Sequence, residues 1–282
     1  MHIDVLLKQV ISQLSVDKTQ GHNAATDTLR ADIVIDKSWA QGRTVFGGLT
    51  SAIAYQAIAC QVTDGRLLRS LSINFIAPIQ VGESLKIYVE QLRHGKNVSQ
   101  YQARIMQNEQ VCLLAMASFG VERVSSITVT NTDRQIMAPP KKPSFLPPIP
   151  GVVPKFLRHI DLALVDSRLP FTNSKRSDLR GWMRFSEAPQ SITDAHIITL
   201  IDSWPPAVLQ MLKWPAPAST MSWNIEFIHP HRRINPSNWF AYQVQTRQAA
   251  DGYAHTEANV WDSYGELIAI SRQVVTVFDG KS

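Results

Sequence analysis

Apolar positions along the chain recur with two periods, and the switches between them mark out its elements. Ile3, Leu6, Leu7, Val10, Ile11 and Leu14 stand at helical spacing and predict a first helix over 1–15. After a polar connection, Leu29, Ile33 and Ile35 predict a strand over 28–35. Gly47-Gly48 then opens a stretch to Cys60 that, from Leu49 on, holds no charge, no Pro and no Gly. It is apolar almost all round, so it predicts a helix buried on every side rather than one with a single wet face. It also falls short of the roughly 20 apolar residues that a bilayer span requires. Period two takes over at 67–76, 84–93, 98–107 and 111–121, with turns at 94–97 and 108–109. Alternating runs joined by short turns are an antiparallel meander with one buried face, and the helix is the object for that face to cover.

Residues 125–150 carry six prolines, at 139, 140, 143, 147, 148 and 150, which bars them from a central strand and predicts an extended linker. Beyond them the element order returns. Strand-like runs at 156–165 and 179–185 precede a helical pattern over 193–212, interrupted at Trp204-Pro205-Pro206. Further strand signals follow at 222–230, 239–247, 253–261 and 266–278. Glu226-Phe227-Ile228-His229-Pro230 stands in the second half where Asn74-Phe75-Ile76-Ala77-Pro78 stands in the first. Such a five-residue match, with Phe, Ile and Pro shared, could alone be chance. In the same place within the same order it predicts a duplication, with halves at 1–124 and 151–282 around the linker 125–150. A sheet curled around one helix cannot close by itself, whereas two such units can pair edge to edge and remove two exposed edges.

Composition narrows the class. A chain of 282 residues, 44% hydrophobic and 18% charged, is an ordered globular protein of one large domain or two of about 140 residues. The net charge of +5 suits a phosphate-bearing partner or ordinary surface variation, and no Lys/Arg run argues for nucleic acid. Cys60 and Cys112 lie in apolar runs, which predicts buried free thiols in a reducing compartment. The first residues lack the basic start and continuous apolar core of a signal peptide, so a cytoplasmic location is expected.

Candidate chemistry is sparse. The Gly47-Gly48 pair leaves backbone N–H groups free for an anionic or developing-anion oxygen, or is simply a flexible entry to a core helix. Asp202 follows Ile197-Ile198-Thr199-Leu200-Ile201, where a carboxylate is costly to bury without partners. It could instead cap the segment that starts at Pro205-Pro206. Asp194 reads as a capping residue. His229 and His231, beside Arg232 and Arg233, read as a basic loop that could meet phosphates or merely face solvent. No metal-ligand spacing, no Gly-x-Ser-x-Gly and no Gly-rich phosphate loop is present, so neither metal nor cofactor is expected.

An ordered set of motifs resembles the acyl-CoA thioesterase II-like group of double hotdog proteins. In the first half these are Arg43-Thr44-Val45-Phe46-Gly47-Gly48, Leu71-Ser72-Ile73-Asn74-Phe75-Ile76-Ala77-Pro78, Leu92-Arg93-His94-Gly95-Lys96 and Ala115-Met116-Ala117-Ser118-Phe119. In the second half they are Asp202, Ser219-Thr220, Phe227-Ile228-His229-Pro230 and Asp262-Ser263-Tyr264-Gly265-Glu266-Leu267-Ile268-Ala269 leading to Gln273. The resemblance covers roughly residues 30–278. It implies an α+β double hotdog fold, two antiparallel sheets each wrapped around a central helix. It also implies hydrolysis of acyl-coenzyme A to a free acid and CoA, with no metal and no covalent intermediate. The family's water-holding Asp, Ser or Thr, and Gln fall on Asp202, Thr220 and Gln273, and its substrate contacts on Phe46, Gly47 and Gly48. The implied partners are an acyl-CoA substrate and further copies of the chain, in a dimer of double hotdogs. The sequence departs from the family pattern at Leu49, often Gln, and over Arg69–Ser72, where a His is common. A non-catalytic acyl-CoA-binding protein and a hotdog hydratase are the alternative readings. The hydratase would need His196 beside Asp202, yet a six-residue separation puts them on different helix faces.

Overall fold

In the computed structural model, residues 1–16, 29–145 and 153–280 are described, so Thr28 and the prolines at 147, 148 and 150 lie outside the described residues. In chain order the elements are α1 (Ile3–Gln13), β1 (Ser15–Val16), β2 (Leu29–Val34), β3 (Ala40–Gln41), β4 (Thr44–Val45) and α2 (Gly47–Ala59). Then come β5 (Leu67–Phe75), β6 (Ser84–His94), β7 (Val98–Gln107) and β8 (Gln110–Gly120). The second half has β9 (Ile160–Leu164), β10 (Asp178–Phe185), α3 (Asp194–Ile201), β11 (Ala218–Phe227), β12 (Phe240–Ala250), β13 (Tyr253–Trp261) and β14 (Leu267–Val277). Short 3-10 turns occupy Lys37–Trp39, Lys155–Arg158 and Ala207–Met211.

Where the resemblance implies two sheets, the structure has one continuous antiparallel sheet of twelve strands, in the order β1-β2-β6-β7-β8-β5-β11-β14-β13-β12-β10-β9. The reason is the middle of that order. β5 is the last first-half strand and β11 the first second-half strand, and they pair edge to edge from Ser222↔Asn74 to Glu226↔Ser70. Either edge left open would offer a row of unpaired N–H and C=O groups, and each half covers the other's. Reading outward from this seam, β8, β7, β6 and β2 mirror β14, β13, β12 and β10. The five-residue motif fixes the offset between halves at 152 residues, which makes Ser72 the equivalent of Asn224. Those two residues face each other in register, and Ser72 Oγ donates to Asn224 Oδ1 at 2.7 Å. The internal two-fold of the duplication therefore passes through this pair.

Apart from the two-residue β1, β3 and β4, which the pattern does not predict, each strand forms where its apolar alternation predicts, to within a few residues. The β7–β8 hairpin turns on Asn108 and Glu109, both at positive φ (51° and 58°), as a two-residue turn matched to the strand twist demands. α2 is buried along nearly its whole length and packs on α3 and on the inner faces of β6, β7 and β8. Leu49, at the position of family departure, is fully buried in that core. α1 is the amphipathic exception. It buries Ile3, Leu6, Leu7 and Val10 against α2 and β2 while Val5 and Ile11 face outward.

The expected 193–212 helix is shorter than its apolar pattern. α3 ends at Ile201 and Asp202 is its C-cap, because Pro205 and Pro206 cannot continue a helix. The chain resumes as a 3-10 turn whose N-cap is Pro206, not Asp202. At the start, Thr193 is the cap and Asp194 the first helical residue. Thr193 N–H donates to His196 Nδ1 at 3.2 Å in a capping box, so the Asp194 carboxylate takes no part in the cap.

Trp204 fills the space that α3 vacates. A Cβ at Gly181 of β10 would stand 2.5 Å from the Trp204 ring and 2.7 Å from the Ala163 carbonyl oxygen. Gly181→Ala should therefore destabilise the fold by about 1–3 kcal/mol, the range for an overpacked core. Trp204→Leu in the same chain should recover part of that loss, measured as a non-additive pair in denaturant unfolding. Strict additivity would show that the Trp204 contact is not what excludes a side chain at 181.

Candidate active site

The C-terminus of α3 points at the N-terminus of α2, and Asp202 lies where they meet. Gln273, from β14, donates from Nε2 to Asp202 Oδ1 at 2.9 Å. The Gly48 backbone amide faces the same carboxylate and stabilises its charge in part. Both glycines are required by this approach. A Cβ at Gly47 would stand 2.9 Å from Asp202 Oδ2 and 3.2 Å from the Phe75 ring, and one at Gly48 would stand 2.9 Å from Asp202 Cβ and 2.5 Å from the Phe46 ring. The Phe46 ring is fully buried and stacks on Phe156 at 3.9 Å, so it fixes the entry to α2.

Burial dominates the electrostatics. It raises the Asp202 pKa to about 7, while the Gln273 hydrogen bond and the Gly48 amide pull the other way and only partly offset it. Asp202 keeps some exposed surface as a residue. Protein nonetheless crowds its carboxylate closely enough to strip away most hydration. The buried Tyr242 of β12 belongs to the same surroundings. Its pKa is driven up by burial and then by the charge of Asp202, and its ring lies parallel to that of Trp204 at 6.1 Å. Nothing in the alternating pattern of β12 marks Tyr242 as a neighbour of the carboxylate, because that proximity is made by the sheet's curvature.

Thr220 is placed differently from the other two. It lies on β11 opposite Val275, beside a bulge between Thr220 and Ser222. Val275 and Gln273 are alternate residues of one strand, so Thr220 shares a sheet face with Gln273. No hydrogen bond joins Thr220 to Asp202 or Gln273 among the described residues. The structure thus brings Asp202, Gln273, Gly47 and Gly48 into contact and sets Thr220 one step away on the same face. Two cavities elsewhere do not involve Asp202. One, of about 180 Å³, is lined by Trp39, His159 and Phe185, and another, of about 360 Å³, by Arg134, Gln245 and Glu257.

His196, the hydratase candidate, is engaged at both ring nitrogens. Nδ1 accepts from Thr193 N–H, which leaves Nε2–H to donate to Asp4 Oδ1 of α1 at 3.0 Å. It holds α1 to α3 and does not reach Asp202.

Comparison with known proteins agrees with the architecture. Residues 35–120 match the acyl-CoA thioesterase N-terminal domain, and residues 133–277 match the acyl-CoA thioesterase C-terminal domain. The chain belongs to the acyl-CoA thioesterase family. As a member of that family it is a thioester hydrolase. No curated protein matches it by sequence. Among solved structures it is similar to a protein of unknown function with a hot dog fold from Alicyclobacillus acidocaldarius. The two are 21% identical, with 98% of each chain covered and a TM-score of 0.76. It is also similar to an acyl-CoA thioesterase II from Mycobacterium marinum, at 18% identity over 98% of this chain and 99% of that one, with a TM-score of 0.70. At these identities the structural likeness speaks for the fold, and the family match carries the activity. No helix among the described residues is long and apolar enough to cross a membrane.

Two predictions follow from the carboxylate's position. The folded protein holds a proton on Asp202 that the unfolded chain, with a pKa near the ordinary 3.8, has already released. Its contribution to stability is full below about pH 3.8 and is lost as pH rises through about 7. Measured by denaturant unfolding against Asp202→Asn, the parent should be relatively less stable at about pH 8 than at about pH 5. A difference that does not vary with pH would mean that Asp202 is not desolvated. Gly47→Ala should lower turnover at least tenfold with little change in thermal midpoint. Its Cβ would strike the carboxylate oxygen, while a helical Ala is intrinsically favoured over Gly by up to about 1 kcal/mol. Unchanged turnover would separate Gly47 from the site.

Proposed function

We propose that the chain hydrolyses acyl-coenzyme A through a water held by Asp202, Gln273 and Thr220. The observation that carries this reading is the buried, hydrogen-bonded Asp202 at the N-terminus of α2, with a pKa near the pH at which it must act. The ionised Asp202 takes a proton from the water as its oxygen attacks the thioester carbonyl. Gln273 and Thr220 carry neutral side chains that both donate and accept, which suits them to orient that water. The Gly48 amide supports the Asp202 carboxylate, and the Gly47 amide, without a partner within the helix, is the donor for the carbonyl oxygen's developing charge. Collapse of the tetrahedral intermediate breaks the C–S bond, and the proton held by Asp202 goes to the departing thiolate. The products are a free acid and CoA.

In this reading the fold is a double hotdog, with each half's curved part of the sheet enclosing its own helix. The two halves are 1–124 and 151–282, and the protein works in the cytoplasm as a homo-oligomer of such units. The solvent face of β8, where Leu114 and Met116 are exposed, offers apolar surface for such an assembly. The hydratase reading lacks its base, since His196 is held by Thr193 and Asp4. The binding-protein reading differs in one outcome. There, Asp202→Asn would change nothing that matters.

Asp202→Asn keeps the shape and the hydrogen bond to Gln273 but removes the base, so kcat should fall by a factor of about 10² or more with little change in ligand affinity. Thr220→Ala and Gln273→Ala should each cost less, and the double change should be non-additive if they hold one water. The acid limb of the kcat/KM profile should rise with a midpoint near 7, where Asp202 ionises. Turnover of Asp202→Asn within a few-fold of the parent, across acyl chain lengths, would remove Asp202 from the reaction and favour the binding protein.

A further inference from the structure

The chain that follows β11 folds back over the first turn of α3 and gathers three metal-ligand side chains. Asp194 Oδ2 lies 3.6 Å from His229 Nε2, and Asp194 Oδ1 lies 3.8 Å from His231 Nδ1. The three ligand atoms all fall within 4.8 Å of one another. These separations are too long for hydrogen bonds. They approach the spacing of donors around one ion, since atoms about 2.0 Å from zinc at tetrahedral angles stand roughly 3.3 Å apart.

His229 gives the second, independent observation. Its side chain is only 7% exposed, and its Nε2 is sealed from solvent with no hydrogen-bond partner. A buried imidazole nitrogen left in that state is costly, and it points at a carboxylate. His231 is prepared in a different way. Its Nε2 lies 3.3 Å from the Ile268 carbonyl, and donating there leaves the Nδ1 lone pair directed toward Asp194. A backbone carbonyl holding the outer nitrogen is the usual support of a ligating His. The two imidazoles stack at 4.0 Å, and the Tyr55 hydroxyl of α2 donates to Asp194 Oδ2 at 3.1 Å, steadying the carboxylate.

We propose that Asp194, His229 and His231 form a binding site for one divalent first-row transition ion of the zinc type, with a fourth coordination position open. Two imidazoles and one carboxylate favour such an ion over magnesium or calcium, which take all-oxygen sets. The site lies at the opposite end of α3 from Asp202, about 12 Å along the axis at 1.5 Å per residue. It is separate from the hydrolytic site and does not rest on that reading. A bound ion would tie the segment after β11 to α3 and, through Tyr55, to α2.

The test uses the untagged full chain, stripped with a chelator and dialysed. Calorimetric titration with Zn²⁺ should give one ion per chain with a Kd of about 10 µM or tighter. Co²⁺ should give visible absorption bands without the intense thiolate transition that Cys60 or Cys112 would add. His229→Gln and His231→Gln should each weaken binding at least tenfold, and Tyr55→Phe should weaken it about tenfold as a supporting group. His255→Ala, at an exposed His of β13, should leave binding unchanged. At a hundredfold excess over Kd, Zn²⁺ should raise the parent's thermal midpoint by roughly 5 °C. Should a His variant fail to fold, Asp194→Asn replaces it, because an amide oxygen can still accept from Tyr55. Binding weaker than about 100 µM, or an affinity that survives both His229→Gln and His231→Gln, would overturn the site and leave Asp194 and His229 as an ordinary buried acid–imidazole pair.

Discussion

A carboxylate from the second half of the chain is pressed against the first turn of a helix from the first half, and the rest of the architecture serves that contact. It requires α3 to end where α2 begins, which the paired prolines after Trp204 enforce. It requires a helix N-terminus without side chains, which Gly47 and Gly48 supply. It also requires the two halves to be held in fixed register, and the β5–β11 seam does this through backbone pairing about Ser72 and Asn224. Gln273 reaches Asp202 only because β14 is the strand next to β11. Break the seam, and the acid with its glutamine parts company with the Gly48 amide of the other half.

Duplication and use have diverged in this molecule. The first-half helix carries no carboxylate at the position where α3 ends in Asp202, so the symmetric fold holds an asymmetric site. α2 contributes its N-terminus and α3 its C-terminus, with a fully apolar Leu49 packed behind the glycine pair. The result is a single contact of this kind among the described residues, built from elements far apart in sequence and adjacent across the two-fold.

Much of the fold was legible because period two and period 3.6 leave distinct marks on a chain. The strands at 98–107 and 253–261 were marked to the residue by their alternation and flanking turns. That the halves pair edge to edge was legible, but which strands meet at the seam was not, since sequence order does not say which strand ends up outermost. Asp202 stood out as a carboxylate at the end of an apolar run, Gln273 only through the family resemblance, and the structure brings them within hydrogen-bonding distance. Asp194 was misread as a cap. Thr193 precedes it and makes a capping box with His196, which frees the acid for Tyr55. Tyr242 left no signal at all, because a sheet's curvature, not its alternation, decides which distant side chains face one carboxylate. The His-x-His pair at 229 and 231 looked like a solvated loop, since its acidic partner lies 35 residues back in another element.

The account stands most directly on the ionisation of Asp202 itself. Carbon-13 carboxyl NMR of the aspartate-labelled protein, titrated with pH and assigned by the resonance missing in Asp202→Asn, reads that ionisation without reference to activity. A resonance that titrates with a midpoint near 7 is the predicted result. A midpoint near the ordinary aspartate value of about 4 would contradict it, and would mean that solvent reaches the carboxylate freely.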